Sequence, residues 1–173
     1  MFGGIEFKIL YFLQSVHAPW LDVFMQYITY LGDHGFIWIL IGIVFLCYKR
    51  TRKMGICLLL SLGIGLLLGN VVLKNMIARQ RPCWIDNQIL LLIPNPRDYS
   101  FPSGHSLAAF EGSVSIWLFH RKWGIWFFLL ATLIAFSRLY LFVHFPTDVL
   151  AGITMGILIA VLVHRSMENL IVS

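Results

Sequence analysis

Residues 54–73 read MGICLLLSLGIGLLLGNVVL, a run of twenty residues without a charged side chain. An α-helix rises about 1.5 Å per residue, so a helix of this length spans roughly 30 Å. The hydrocarbon core of a bilayer has about the same thickness. This stretch therefore predicts a membrane-spanning helix and decides the fold class.

The composition of the whole chain agrees with a membrane location. Of its 173 residues, 59% are hydrophobic and only 12% are charged, whereas a soluble domain usually has about a quarter of its residues charged. The formal net charge is +5, but the positive residues cluster at the ends of apolar runs, so we expect no nucleic-acid partner. At this length we expect one domain over residues 1–173.

Further apolar runs extend the helix series on both sides of residues 54–73. They lie at 19–31, 35–48, 106–119, 123–143 and 147–163. Residues 5–16 alternate apolar and polar positions at helical spacing, which is typical of a helix lying at the membrane interface. The prediction is an all-α bundle of six helices with an N-terminal interfacial helix. Whether the short run 19–31, which carries Asp22, fully spans the membrane stays open.

The placement of Lys and Arg predicts the orientation. Residues 49–53 (KRTRK) carry four positive charges, and Arg121, Lys122 and Arg165 lie on the same face if the helices alternate. The positive-inside rule makes that face cytoplasmic. The long polar stretch 77–104 then lies on the extracytoplasmic side of a multi-pass protein of the plasma membrane.

The first polar cluster is Lys74 and Arg81, near the end of the run that began at residue 54. Pro82 disfavours a helical conformation of the residue before it, so we expect the helix to end by Arg81. Two cations at this boundary are either interfacial anchors or ligands of an anion.

The second cluster lies in residues 101–106 (FPSGHS), where a new apolar helix opens. Ser103 can cap that helix, and Gly104 permits close approach of the backbone. The free N–H groups of a helix start form an anion site, and His105 could donate a proton there. The alternative is a capped helix start with a solvated histidine.

The third cluster is Arg138, His144 and Asp148, with Pro146 starting the last helix. The Asp148 carboxylate can accept a proton from one ring nitrogen of His144, which leaves the other nitrogen unprotonated and facing a substrate. Arg138 offers a planar fork that matches phosphate oxygens. A structural His–Asp pair at a helix start is the alternative.

Alternation of the helices places all three clusters on the same face of the membrane. The combined set of cations, backbone amides and histidines fits a tetrahedral oxyanion. A metal site would require more carboxylates or a tighter grouping of His and Asp. The cations can stabilise the charge on a transferring phosphoryl group in place of a metal, so we expect neither a metal nor a cofactor.

Three motifs, in order along the chain, carry a resemblance to a known family. They are Lys74-x6-Arg81-Pro82, Pro102-Ser103-Gly104-His105 and Ser137-Arg138-x5-His144-x3-Asp148. Together they resemble the signature of the type 2 phosphatidic acid phosphatase superfamily, which includes bacterial lipid phosphatases, undecaprenyl diphosphate phosphatases and vanadium haloperoxidases. Every signature position is present, and the helix series is similar to that of the small bacterial membrane members.

The resemblance implies a role for each matched residue. His144 would attack phosphorus and carry a phosphohistidine, Asp148 would orient His144, and His105 would protonate the leaving oxygen. The phosphoryl oxygens would be held by Lys74, Arg81, Ser103, Gly104 and Arg138. Water would then hydrolyse the phosphoenzyme.

The implied function is a metal-independent membrane phosphatase that acts on a lipid phosphate or diphosphate, with undecaprenyl diphosphate favoured. Phosphatidylglycerol phosphate and phosphatidic acid are alternatives. An anion channel or transporter belongs to a different class, but it would not require a His–Asp pair beside three cations. A haloperoxidase suits a membrane-buried chain less well. The lipid chain, the number of phosphates and the oligomeric state stay open.

Several polar residues outside the motifs have two interpretations each. Glu111 is an intramembrane carboxylate, which is either functional or paired within the bundle. Arg79 and Arg97 either contact a second phosphate or headgroup, or anchor the chain at the interface. Asp33 and His34 are interpreted as turn residues at a helix junction.

Overall fold

The computed structural model describes residues 4–172, with side chains described as far as residue 169. Within these residues the fold is helical, and no strand is present. The helices are α1 Ile5–Ser15, α2 Pro19–Leu31, α3 Phe36–Cys47, α4 Arg52–Gly65, α5 Lys74–Ile77, α6 Pro82–Ile85, α7 Gly104–Phe119, α8 Arg121–Tyr140 and α9 Pro146–Val172. A 3-10 turn at Asp33–Gly35 separates α2 from α3, and a π-helical segment at Leu66–Leu73 joins α4 to α5.

The all-helical class is confirmed, but the count of six spanning helices after an interfacial helix is not. Seven described α-helices have 11 residues or more. Three are long and apolar enough to cross a membrane, namely Arg52–Ile85, Arg121–Tyr140 and Pro146–Asn169. The pair Pro19–Leu31 and Asp33–Cys47, bent by 43°, would be a fourth if it forms one span. At 16 residues, α7 is shorter than a typical span.

The helix that contains residues 54–73 continues further than its apolar run, but it ends before Arg81. Its last turn finishes at Ile77, and Ala78 adopts a left-handed conformation with a φ of 47°. Arg81 is extended and immediately precedes the short helix that Pro82 starts. The preference of a residue before proline for an extended backbone explains the conformation of Arg81. The prediction that the helix ends by Arg81 is confirmed, and its last residue is Ile77.

Helix α7 lies at the centre of the bundle, where it contacts α4, α8 and α9. Two glycines allow α9 to approach it closely. A Cβ added at Gly152 would lie 2.6 Å from the Ser103 carbonyl oxygen, and one at Gly156 would lie 2.6 Å from that of Leu107. Close backbone approach through small residues is a common packing mode of membrane helices. It brings the start of α9 beside the start of α7.

Large apolar side chains cover much of the outer surface. The most exposed on α8 and α9 and on the π-helical segment are Leu67, Ile125, Trp126, Leu150 and Leu162, each at least 60% exposed. Soluble proteins rarely expose contiguous apolar patches of this kind. Lipid contact accounts for this surface, because an apolar exterior is stable only in an apolar solvent.

Helix α1 packs beneath the segment that connects α8 to α9. Phe7 and Leu10 belong to a buried cluster with Tyr140, Phe142 and Phe145. The side chain of Gln14 donates a hydrogen bond of 2.9 Å to the Tyr140 carbonyl oxygen, which satisfies an acceptor at the end of α8. Packing by α1 thus holds the backbone on both sides of His144.

Candidate functional site

Side chains from all three predicted clusters line one cavity of about 850 Å³ at one end of the bundle. Its wall includes Lys74, Arg81, Gly104, His105, Arg138 and His144. Ser103 and Asp148 lie behind this wall and are fully buried. These side chains come together because four helices begin or end here: α5 and α8 end, and α7 and α9 begin.

Three buried cations dominate the charge of the cavity. Lys74, Arg81 and Arg138 are only 6%, 2% and 3% exposed, and buried charges require partners. Asp98, which the sequence did not single out, bridges two of them. Its carboxylate lies 2.5 Å from Lys74 Nζ and 2.8 Å from Arg81 Nη2.

The ion pairs of Asp98 leave the cavity positively charged. Partial burial alone raises the pKa of Asp98, but the charges of Arg81 and Lys74 outweigh it, and the pKa lies well below its ordinary value. Asp98 is therefore ionised and offsets one of the three positive charges. The remaining excess favours a multiply charged anion.

Arg138 retains an unused donor. One terminal nitrogen donates to the Thr29 hydroxyl from α2. Its Nε atom is enclosed and has no acceptor among the residues that the structure describes. Because a buried N–H without an acceptor is costly, this atom is suited to a ligand oxygen.

The start of α7 has the cap that the sequence predicted. Ser103 Oγ accepts a hydrogen bond of 3.4 Å from the Ser106 N–H. A Cβ added at Gly104 would lie 2.7 Å from Asn70 Oδ1, so glycine permits this contact with the π-helical segment. Asn70 also lines the cavity, and its position follows from the π-helical turns, which the sequence does not reveal.

The hydrogen bonds of His144 define its tautomer. Arg81 Nη1 lies 3.0 Å from His144 Nε2, and a guanidinium can only donate. Nε2 is therefore the acceptor, and the proton of the neutral ring is on Nδ1. Burial lowers the pKa of His144 well below its ordinary value, and the charges of Arg81 and Arg138 lower it further. The ring consequently stays neutral, with a lone pair on Nε2, at neutral pH.

The sequence predicted a direct hydrogen bond from His144 to the Asp148 carboxylate, but the two groups are too far apart for one. Asp148 Oδ2 lies 3.7 Å from His144 Nδ1, because this oxygen accepts from the Phe145 N–H at 2.9 Å. An acidic residue in the first turn often reaches back to the helix start in this way. The Ser100 hydroxyl bridges the gap: it donates to Asp148 Oδ2 at 2.5 Å and lies 3.4 Å from His144 Nδ1.

Arg79 contacts carboxylates behind the cavity rather than its interior. It donates to Asp148 Oδ1 at 2.6 Å and to Glu6 Oε2 at 2.6 Å. Glu6 in turn accepts from the backbone N–H and the hydroxyl of Thr147. Neither interpretation of Arg79 from the sequence described this network, which connects α1 to the start of α9. Arg97 is exposed and lines the cavity.

Two further carboxylates reach the cavity. Asp33 Oδ1, in the turn between α2 and α3, lies 2.8 Å from His105 Nε2, so Asp33 is more than the turn residue that the sequence suggested. Glu111 lies deeper in α7 and contacts Gly65, and its Oε1 has no hydrogen-bond partner in the described part of the chain. In residues 4–172, no group of three or more His, Cys, Asp or Glu side chains could hold a metal ion.

Known proteins resemble this chain in sequence. The sequence model of the PAP2 superfamily matches residues 54–171. An undecaprenyl-diphosphatase of Sulfolobus acidocaldarius is 40% identical over 154 residues, which cover 87% of this chain and 71% of that protein. All three sequence motifs lie within the matched residues.

Solved structures show the same architecture. The crystal structure of a transmembrane PAP2-type phosphatidylglycerolphosphate phosphatase from Bacillus subtilis has a TM-score of 0.77 and 34% identity, covering 94% of this chain and 84% of that one. The crystal structure of LpxE from Aquifex aeolicus has a TM-score of 0.78 and 27% identity, covering 94% and 96%. The fold is thus shared over almost the whole chain.

Proposed function

This chain belongs to the PAP2 superfamily, and from that membership we propose that it removes the terminal phosphate of a lipid phosphate or diphosphate at the membrane surface. One observation carries the proposal: a neutral histidine and three buried cations line one cavity at the end of a bundle with an apolar exterior. The cations suit a phosphoryl group, and the apolar exterior gives a lipid substrate access from the bilayer.

We assign the first chemical step to His144. Nε2 attacks phosphorus, and the bond to the leaving oxygen breaks as the N–P bond forms. An incoming phosphoryl group can accept the hydrogen bond that Arg81 donates to Nε2, which frees the lone pair for attack. Asp148, through the Ser100 hydroxyl, stabilises the positive charge that develops on the ring.

Binding and proton transfer fall to the remaining motif residues. Lys74, Arg81 and Arg138 hold the phosphoryl oxygens, with Ser103 and Gly104 positioning the backbone at the start of α7. His105 gives a proton to the leaving oxygen. Water then attacks the phosphohistidine, His105 takes its proton, and inorganic phosphate and free His144 result.

Undecaprenyl diphosphate is the favoured substrate. The similarity to the Sulfolobus undecaprenyl-diphosphatase, at 40% identity, supports it. Phosphatidylglycerol phosphate and phosphatidic acid are the alternatives, and the structural similarity to the Bacillus phosphatidylglycerolphosphate phosphatase favours the former of these. An anion channel or transporter remains the rival class.

A panel of substrates tests this proposal. We expect purified protein to release phosphate from undecaprenyl diphosphate, phosphatidylglycerol phosphate and phosphatidic acid, in that order of kcat/KM, and more slowly from soluble phosphate esters. The His144→Ala variant, prepared in parallel, provides the background rate. Anion flux through proteoliposomes without any phosphate release would instead favour the rival class.

We also propose that turnover requires no metal, since Lys74, Arg81 and Arg138 supply the positive charge that a metal would otherwise provide. Activity should survive EDTA, and vanadate, which mimics the five-coordinate phosphoryl group, should inhibit it. The measurement is the rate of phosphate release with and without chelator. Loss of turnover in EDTA, restored by Mg²⁺, would show that the cations alone are insufficient.

We propose that the cavity faces the extracytoplasmic side and that α1 lies at the membrane interface on that side. We also propose that residues 1–173 form one domain. Arg52 and Lys74 are 22 residues apart on one nearly continuous helix, which corresponds to about 33 Å, or one bilayer core. The loop 49–53 therefore lies on the side opposite the cavity, and its positive charge favours the cytoplasm.

Cysteine labelling tests this orientation. After replacement of Cys47, Cys57 and Cys83, a cysteine introduced by Asn87→Cys should react with an impermeant thiol reagent in intact cells. The control Lys49→Cys should react only after lysis, because it lies in the positively charged loop. The opposite pattern would reverse the topology and place the substrate in the inner leaflet.

A further inference from the structure

The turn between α2 and α3 is shaped around His105. A Cβ added at Gly32 would lie 2.8 Å from His105 Cδ2 and 2.8 Å from Ile134 Cγ2. The end of α2 can therefore lie this close to the imidazole only because residue 32 is glycine. His34 and Gly35 both adopt left-handed conformations, with φ values of 52° and 67°. A left-handed conformation is uncommon for a residue other than glycine and costs free energy. This turn places the Asp33 carboxylate against the ring.

The contact between Asp33 and His105 fixes the protonation of one nitrogen. Asp33 Oδ1 lies 2.8 Å from His105 Nε2, and an ionised carboxylate can only accept, so Nε2 carries a proton. The ring is 19% exposed and lines the cavity. Its Nδ1 makes no hydrogen bond to any residue that the structure describes. A second proton would be carried by Nδ1.

The other charges around His105 oppose that second proton. The other titratable and charged groups lining the same cavity come from every surrounding element. They are Tyr30 from α2, Asp33 and His34 from the α2–α3 turn, Lys74 from α5, Arg81 ahead of α6, Arg97 and Asp98 from the segment between α6 and α7, Glu111 from α7, Arg138 from α8, and His144 ahead of α9. Burial lowers the pKa of His105 to about 4, and Coulomb repulsion from Arg138 and Arg81 contributes to this shift, whereas the Asp33 carboxylate raises the pKa. Asp98 is engaged by Lys74 and Arg81, and of the described residues only Asp33 forms an ion pair with His105.

From this geometry we infer that Asp33 is a positioning residue that holds the His105 ring and favours its doubly protonated form over the neutral one, so that Nδ1 delivers a proton to the leaving oxygen. The inference rests on the proposed function, and it assigns a role to a residue outside the three motifs. The Nδ1 proton moves to the oxygen as the P–O bond breaks, leaving a neutral ring with its proton on Nε2. That ring takes a proton from the water that attacks the phosphohistidine, which restores the starting form.

The variant Asp33→Asn tests this role, because asparagine keeps the size of the side chain and removes its charge. We expect kcat for phosphatidic acid at neutral pH to fall roughly 10-fold to 10²-fold, less than the loss of a whole general acid. The alkaline limb of the pH–kcat profile should move to lower pH, since His105 loses the carboxylate that favours its charged form. Asp33→Glu, which keeps the carboxylate, should retain the wild-type alkaline limb at a reduced rate.

Two comparisons separate positioning from a structural role. Asp33→Asn should cause no further loss in the His105→Ala background, because the two residues act as a unit. Asp86→Asn removes a carboxylate that accepts from Tyr11 at 2.7 Å outside the cavity, and it should leave both rate and pH profile unchanged.

The outcomes distinguish this inference from the proposed function. A wild-type protein that hydrolyses lipid phosphates, together with an Asp33→Asn variant whose pH profile is unchanged, would overturn the inference alone. An equal fold-loss of kcat from Asp33→Asn in the wild-type and His105→Ala backgrounds would also overturn the inference alone. A wild-type protein without activity on any lipid phosphate would overturn the proposed function, and the inference with it. If Asp33→Asn does not fold, Asp33→Glu decides, because a shifted alkaline limb in that variant contradicts the role of the carboxylate.

Discussion

Replacing His144 with alanine is expected to reduce phosphate release from every lipid substrate to background. The variant removes Nε2, which burial of the ring, the surrounding positive charges and the hydrogen bond from Arg81 keep unprotonated. The groups beside it cannot replace it, because Arg81 and Lys74 are cations and Asp98 is paired with both. The measurement is kcat for each lipid in matched detergent.

A matched control makes this loss interpretable. His120→Ala is the same change at the other end of α7, where His120 caps α8 by accepting from the Trp123 N–H at 3.3 Å. It should retain wild-type kcat and cost at most about 1 kcal/mol of stability through the lost cap. Asp148→Asn should reduce kcat on the order of 10²-fold or more, by analogy with the orienting acid of a catalytic histidine. An active His144→Ala protein would end the assignment of the nucleophile.

The variant His105→Ala is expected to discriminate between two kinds of leaving group. Hydrolysis of phosphatidic acid expels an alkoxide, which needs a proton as the P–O bond breaks. Hydrolysis of diacylglycerol diphosphate expels a phosphate monoester, which is a stable anion near neutral pH. General acid catalysis acts on charge that develops at the leaving oxygen, so the first reaction should slow by roughly 10²-fold to 10⁴-fold and the second distinctly less.

The two lipids carry the same acyl chains, so differences in binding of the tail cancel. The measurement is kcat for both lipids with wild type and with His105→Ala. His144→Ala serves as the reference that affects both reactions alike. Equal losses on the two lipids would mean that His105 mainly binds the phosphoryl group, and another proton donor would then be required.

The sequence predicted the helical elements because their cause is local. An apolar run with a capping residue or a proline at its start specifies a helix without knowledge of the rest of the chain. Ser103 and Pro146 begin α7 and α9 in this way, as predicted. The assumption that the helices alternate also predicted that the three distant clusters would meet at one end of the bundle, where they line one cavity.

The parts of the site that the sequence did not reveal depend on tertiary contacts. Ser100, Asp98 and Asp33 are ordinary polar residues in connecting segments, and nothing in their local sequence indicates what they contact. The chain between α6 and α7 places Ser100 and Asp98, and the left-handed turn after Gly32 places Asp33. Each is determined by the path of a loop, which residue spacing does not encode.

The π-helical segment is another feature that the sequence did not reveal. Residues 66–73 have the composition of any apolar membrane helix, and a change from α-helical to π-helical hydrogen bonding has no compositional signal. Its effect on the site is direct, because the additional residue per turn determines which face Asn70 and Lys74 present. Just beyond the helix end at Ile77, Arg79 forms ion pairs with Glu6 and Asp148, which are 73 and 69 residues away, and local sequence does not indicate such contacts.

Transfer of the phosphoryl group to His144 is the central claim, and trapping it is the most direct measurement. Purified protein would be mixed with a lipid phosphate carrying ³²P in its terminal phosphate, quenched in alkali within milliseconds, and digested for peptide mapping. The account predicts label that is stable to base and labile to acid, located in the peptide that contains His144 and absent from the His144→Ala variant. Label on a different residue, or the same label in His144→Ala, would contradict it.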